Sequence, residues 1–127
     1  MTDSAACSPA DDAALHEALA RAFAGELATR LPRLTRNAAE LAVDASALAA
    51  AAVTRDVHAL ASSATLLGEL DAARAARSVE VQLAPYCASG PVPAAVIAEV
   101  RRDLDEVREL LMTWLAESAA SGLAGRD

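Results

Sequence analysis

The stretch VIAEVRRDLDEVRELLMTW, residues 96–114, carries the strongest structural pattern in the chain. Its apolar residues return at alternating steps of three and four, which places side chains on one face of an α-helix. They are Ile97, Val100, Leu104, Val107, Leu111 and Trp114. Charged residues fill many of the positions between them. The stretch therefore predicts an amphipathic helix whose apolar seam packs against other helices.

A first helix is predicted near the N-terminus, with Asp11 or Asp12 as its cap. Its apolar stripe is Leu15, Leu19, Phe23, Leu27, Leu31, Leu34, Ala38 and Leu41. Pro32 lies inside this stripe, and proline removes a helical hydrogen bond and clashes with the preceding turn. We therefore expect a kink or a break near Leu31, which would split the helix in two.

Two further helices are predicted before the amphipathic one. Asp44 is the expected cap of a second helix from about Ala45 to Leu67, which Gly68 should end. The buried stripe of this helix is Val53, Val57, Leu60, Ala64 and Leu67. A third helix should begin near Asp71 and bury Ala72, Ala76, Val79 and Leu83. Residues 85–93, PYCASGPVP, are then the clearest loop in the chain.

Composition agrees with an all-α protein. Hydrophobic residues make up 54% of the chain but are mainly alanine, the best helix former, with one Phe, one Tyr and one Trp. Four helices with short connections predict an up-down antiparallel four-helix bundle that closes its own core as a monomer. The expected domain is residues 11–118, with a disordered tail at 1–10 and a frayed one at 119–127.

Charge and the remaining composition limit the classes of partner. Eighteen acidic against eleven basic residues give a net charge of −7, so binding to nucleic acid would need a basic patch that the sequence lacks. No apolar run reaches the length of about 18 residues that spans a membrane, and no secretory signal opens the chain. A cytoplasmic location is expected. Cys7 and Cys87 match no metal-binding spacing and are predicted to be unrelated reduced thiols.

His58 stands out within the second helix. On a helical wheel it lies roughly 135° from the centre of the buried stripe, on one face with Arg55, Ser62, Thr65 and Glu69. The imidazole should therefore reach solvent. A neutral imidazole is a nucleophile if a partner supplies the electrophile. Periodicity alone favours an incidental surface histidine on a polar face, but the small side chains around His58 leave its ring open to a docking partner.

The segment HALASSATLLG, residues 58–68, resembles the signature of histidine-containing phosphotransfer (HPt) domains. That signature reads His, any residue, Leu, Lys, Gly, Ser, Ala, two variable positions, Leu and Gly. The matching residues in register with His58 are Leu60, Ser63, Ala64, Leu67 and Gly68. The resemblance extends over roughly residues 12–116. It includes the proline of the first long helix, Asp44 before the histidine helix, and Glu80 where the family typically carries a glutamate.

The resemblance implies a phosphorelay intermediate. A receiver domain's phospho-aspartate would donate a phosphoryl group to Nε2 of His58, which would pass it to another receiver. Expected partners are a response-regulator receiver domain, a hybrid sensor kinase, or both, with Thr65 and Glu69 on the docking face. The chain would have no kinase activity and no cofactor of its own, and magnesium would come from the receiver. The sequence itself contains no glycine-rich phosphate loop.

Two positions near His58 depart from the family signature. Ala61 stands in place of the lysine whose charge lies near the phosphoryl group, and Ser62 stands in place of the glycine that gives the receiver room. Arg55 offers a replacement cation, although a solvated or ion-paired role fits it as well. Ser62 is either a hydrogen-bond donor or a small surface residue. An interaction module that accepts no phosphate and an unrelated helical adaptor therefore stay open as alternatives.

Overall fold

The structure, a computed structural model, describes residues 9–120 of the 127-residue chain. These residues form four α-helices and one short 3₁₀ turn, with no β-strand among them. The helices are α1 (Pro9–Val43), α2 (Ala47–Leu66), α3 (Leu70–Leu83) and α4 (Ala94–Ala120), and the 3₁₀ turn is Ala84–Tyr86. The predicted all-α helical bundle is confirmed.

Consecutive helices run antiparallel and pack side by side. Asn37 near the end of α1 donates to Asp56 in the middle of α2, whereas Glu26, earlier in α1, accepts from Ser63 near the end of α2. The packing is most extensive between α2 and α3 and between α3 and α4, and α1 also contacts α4. The chain therefore has the up-down order of a four-helix bundle.

The first helix is not split at Pro32. α1 runs as one 35-residue helix with Pro32 in its interior, so the expected break is wrong. Leu31 and Leu34, on either side of the proline, are both buried in the core, and their packing offsets the loss of one backbone hydrogen bond. The Thr35 hydroxyl also donates to the Leu31 carbonyl at 3.0 Å.

The starts of α1 and α2 differ from the predicted caps. Asp11 and Asp12 lie inside the first turn of α1, where their charge suits the helix dipole, because the helix already begins at Pro9. The cap of α2 is Ser46 and not Asp44: its extended backbone lets the hydroxyl accept from the Ala49 amide at 3.1 Å. Gly68 closes α2 as predicted, with φ of 78° in the left-handed region.

The predicted apolar stripes form one core, with some differences at the ends of the helices. Every predicted stripe residue of α2 and α3 is buried. In α4, Ile97 and Trp114 are half-buried, and the Trp114 ring packs on Phe23 of α1 with centroids 5.3 Å apart. Leu19 and Ala38 are only partly buried. Leu15 was predicted to be buried but is 60% exposed, because α2 ends near the level of Glu26 and leaves the first turns of α1 with fewer neighbours.

The predicted loop begins with the 3₁₀ turn and then returns to the start of α2. The Val92 amide donates to the Ala45 carbonyl at 2.8 Å, and Val92 is buried. Gly90 approaches α2 so closely that a Cβ there would lie 2.7 Å from the Ala47 nitrogen, which explains why glycine occupies this position. Of the two predicted tails, residues 1–8 and 121–127 lie outside the described residues, whereas residues 9, 10, 119 and 120 are helical.

Candidate functional site

His58 projects from the middle of α2 into solvent, with 65% of its side chain exposed. Its neighbours Val57 and Leu60 are buried, so the helix holds the backbone of His58 against the core while the ring points outward. The predicted orientation of the imidazole is confirmed. A ring placed on a packed helix is held more firmly than one on a loop.

The imidazole has a carboxylate partner on the adjacent helix. Nδ1 of His58 lies 2.7 Å from Oε2 of Glu80 in α3, whose side chain is only 21% exposed. An ionised carboxylate can only accept hydrogen bonds, so Nδ1 carries the proton and donates it. In the neutral ring the lone pair is then on Nε2, the nitrogen that faces away from Glu80. This contact fixes the orientation of the imidazole ring.

Glu80 is itself in contact with a cation. Nη1 of Arg77, one turn earlier in α3, lies 3.8 Å from Oε1 of Glu80, and the Arg77 side chain is 52% exposed. The two carboxylate oxygens therefore face different partners, one the imidazole and the other the guanidinium. His58, Glu80 and Arg77 form a row across the α2–α3 surface, which we call the His58 row.

The residues predicted to lie next to the phosphoryl group fall into two groups. Arg55 is exposed and forms no ion pair with any residue in the described range 9–120, so its guanidinium is available at the surface. Ser62 is also exposed, but its hydroxyl donates to the His58 carbonyl at 3.1 Å within the helix. Ala61 is 0% exposed and belongs to the core, because α2 packs against both α1 and α3. Its place beside a phosphoryl group stays a prediction of the family resemblance.

The predicted docking residues lie at the end of α2 and the start of α3. Thr65 is exposed, with its hydroxyl donating to the Ala61 carbonyl at 2.8 Å, and Glu69 is half-buried at the start of α3. Two leucines nearby are largely exposed: Leu66 and Leu70. This end of the bundle thus presents a mixed apolar and polar surface beyond His58.

Two members of the His58 row were not placed in the site by periodicity. Glu80 is separated from His58 by 22 positions and belongs to another helix, so only the family resemblance drew attention to it. Arg77 was missed altogether. The one available signal was its spacing, since residues three apart on a helix are neighbours and Arg77 would face Glu80.

Other candidate chemistry is sparse in this part of the chain. Within residues 9–120, no three His, Cys, Asp or Glu side chains are grouped so that they could hold a metal ion. Cys87 is a free, half-buried thiol near the Thr54 hydroxyl and the Leu83 carbonyl, and Cys7 lies outside the described residues. No helix formed by residues 9–120 has both the length and the apolar character needed to cross a membrane.

Comparison with protein-family models, curated proteins and solved structures finds no match to this chain. The observations that bear on function are the geometry of the His58 row and the resemblance of residues 58–68 to the HPt signature.

Proposed function

We propose that this chain is a phosphorelay intermediate of a two-component signalling system. His58 accepts a phosphoryl group from the phospho-aspartate of a receiver domain and passes it to another receiver. The observation that carries the proposal is the hydrogen bond between Nδ1 of His58 and Glu80. This hydrogen bond leaves one defined nucleophilic nitrogen, Nε2, on an exposed ring. A surface histidine without a chemical role has no need of such a fixed tautomer.

The transfer uses the lone pair of Nε2. It attacks the phosphorus of the aspartyl phosphate, the Nε2–P bond forms, and the P–O bond to the aspartate breaks. The electron pair of that bond leaves with the aspartate oxygen and restores the free carboxylate of the receiver. No proton has to move in this step, because the imidazole proton is already on Nδ1. The reverse reaction delivers the phosphoryl group to a second receiver.

Glu80 supports this step by its charge as well as by its geometry. An imidazole that forms a bond through Nε2 while Nδ1 keeps its proton becomes positively charged. Oε2 of Glu80, 2.7 Å from Nδ1, lies where it stabilises that developing charge. The same contact keeps the ring from rotating about its side-chain torsions, so Nε2 faces the incoming receiver.

The partner supplies the remaining parts in this proposal. The receiver domain, free-standing or within a hybrid sensor kinase, brings the activated phosphoryl group and the magnesium ion that neutralises it. Thr65 and Glu69 belong to the face on which it docks. The chain acts as a monomer in the cytoplasm, without kinase activity of its own and without contact with nucleic acid or membrane.

An interaction module that binds a receiver without accepting phosphate is the second candidate. One observation favours it: Ala61 replaces the signature lysine and is fully buried, so no charge reaches His58 from this position. Such a module would bind the receiver equally well with or without the imidazole.

A transfer assay separates the two candidates. The protein is incubated with a receiver carrying labelled phospho-aspartate, and acid-labile, alkali-stable label on the chain is measured. His58→Gln is compared with His16→Gln, which removes the only other histidine, an exposed residue of α1. Label on the wild type and on His16→Gln, but not on His58→Gln, supports the phosphocarrier. Receiver binding without label on any variant would support the interaction module instead.

A further inference from the structure

We propose that Arg77 is the positioning residue of the His58 row. It holds the Glu80 carboxylate in place and balances its charge. This inference rests on the proposed function of His58. It adds a residue of α3 that acts on the imidazole only through Glu80.

The two oxygens of the Glu80 carboxylate contact different residues. Oε2 is 2.7 Å from Nδ1 of His58, and Oε1 is 3.8 Å from Nη1 of Arg77. A glutamate side chain has three rotatable torsions, and one hydrogen bond to an exposed ring leaves it free to turn toward water. A second contact on the opposite oxygen restricts this rotation and keeps Oε2 directed at the imidazole.

Charge is the second argument. A phosphoryl group on Nε2 carries negative charge, and an unbalanced Glu80 on the other side of the ring would repel it. The Arg77 guanidinium offsets part of this repulsion and leaves the contact between Glu80 and the positively charged ring in place. Ala61 has no charge and is buried, so it supplies no cation to Glu80. Arg55 is on α2 and has no contact with Glu80 within the described range, so it does not balance this carboxylate.

A second arginine–carboxylate pair on α3 shows what distinguishes Arg77. Arg74 lies 3.2 Å from Asp71 with the same three-residue spacing, but both of these side chains are more than 70% exposed. Glu80 is 21% exposed and is held by His58 as well, so the Arg77 contact is less screened by water. Arg74 therefore provides a matched control on the same helix.

The experiment compares Arg77→Gln, Arg77→Lys and Arg74→Gln. The first readout is ¹⁵N NMR of the His58 ring in the unphosphorylated protein, at a pH at which the ring is neutral. Free imidazole side chains favour the proton on Nε2, so we expect Arg77→Gln to lower the fraction protonated on Nδ1. The second readout is the rate of phosphoryl transfer from a receiver, which should fall about two- to fivefold, the effect of one exposed ion pair. Arg77→Lys should retain most of the Nδ1-protonated fraction and most of the transfer rate.

The role of Arg77 would be overturned if Arg77→Gln kept the wild-type fraction of Nδ1-protonated His58 and the wild-type transfer rate. It would also be overturned if Arg74→Gln lowered both quantities as much as Arg77→Gln. The two proposals fail in different ways. If no receiver labels His58, the phosphocarrier function is wrong, but the tautomer measurement still decides whether Arg77 positions Glu80. Circular dichroism of each variant shows whether it is folded, which the exposed position of Arg77 leads us to expect.

Discussion

Each of the two ring nitrogens of His58 has a different environment. Nδ1 is hydrogen-bonded to a carboxylate that is mostly shielded from water, whereas Nε2 faces away from Glu80 on a side chain that is 65% exposed. Because the ring is already oriented, it loses less rotational freedom on reaching a transition state than an isolated surface histidine would. The proposed transfer therefore needs few other groups of this chain around His58.

Glu80→Gln tests the charge of that carboxylate. Glutamine keeps nearly the same shape and can still accept from Nδ1, but it does not stabilise a positive ring as a carboxylate does. We expect phosphoryl transfer to slow by about three- to tenfold, because a hydrogen bond to a charged group is about 1 kcal/mol stronger than a neutral one. Stability should hardly change.

The matched control for this substitution is Glu17→Gln, which removes a carboxylate of α1 that pairs with Arg21 at the surface. It should leave the transfer rate at the wild-type value. A Glu80→Gln variant that transfers as fast as Glu17→Gln would show that the hydrogen bond to Nδ1 does not assist the reaction.

Position 61 provides a test based on stability. Ala61 is 0% exposed, so a lysine there must either bury its ammonium group or displace neighbouring side chains. We expect Ala61→Lys to lower the free energy of unfolding by about 1–3 kcal/mol. Ser62→Lys, at the exposed neighbouring position, should change it by less than about 0.5 kcal/mol. Urea denaturation measures both, and equal values for the two variants would mean that position 61 is open to solvent.

Periodicity was sufficient to place His58 outside and Val57 and Leu60 inside. The burial of Ala61 was not predicted, because a wheel locates the centre of a buried face but not its width. The width depends on how many helices pack against α2, and alanine at 61 is small enough to allow close approach on that side. Glu80 lies beyond the reach of any local pattern, since its contact with His58 depends on how α3 is set against α2.

Helix α2 packs between α1 and α3, and polar side-chain contacts connect it to both helices. Toward α1, Asn37 donates to Asp56 at 2.7 Å, and Asp56 is only 4% exposed. Toward α3, the contact is between His58 and Glu80. A buried carboxylate is costly unless it is hydrogen-bonded, so the contact with Asn37 restricts how α1 and α2 can slide past each other.

Asn37→Ala should therefore destabilise the bundle. It leaves the buried Asp56 carboxylate without this donor, at an expected cost of about 1–3 kcal/mol in the free energy of unfolding. Arg36→Ala, at the exposed neighbouring position, should cost less than about 0.5 kcal/mol. The two variants are compared by urea denaturation. If Asn37→Ala is as stable as Arg36→Ala, the contact does not hold the two helices together.

The elements themselves were largely predictable, whereas their ends were not. Apolar spacing is strong over long helices, and this is why the stripes of α2 and α3 were correct in full. Caps depend on the backbone conformation of single residues. Asp44 and Ser46 are both residue types that often cap helices, but it is the Ser46 hydroxyl that accepts from the Ala49 amide. Pro32 was expected to divide α1, but packing on both sides of a proline can keep a long helix intact.

In the whole molecule, the His58 row lies on two helices, α2 and α3, that pack against each other. The core extends beneath both α2 and α3, so the distance between His58 and Glu80 follows from helix packing and does not depend on a loop. In the proposed function, phosphorylation of His58 would add charge at the surface, away from the core. The molecule as proposed is a rigid carrier that presents one nucleophile to successive partners.

The most direct test of the account is to find which atom carries the phosphoryl group. The protein, labelled with ¹⁵N in its histidine rings, is phosphorylated by a receiver and examined by ¹⁵N and ³¹P NMR. We expect a phosphorus–nitrogen bond at Nε2 of His58, with Nδ1 still protonated and hydrogen-bonded to Glu80. A phosphoryl group on Nδ1, on any other residue, or on no residue of the chain would contradict it.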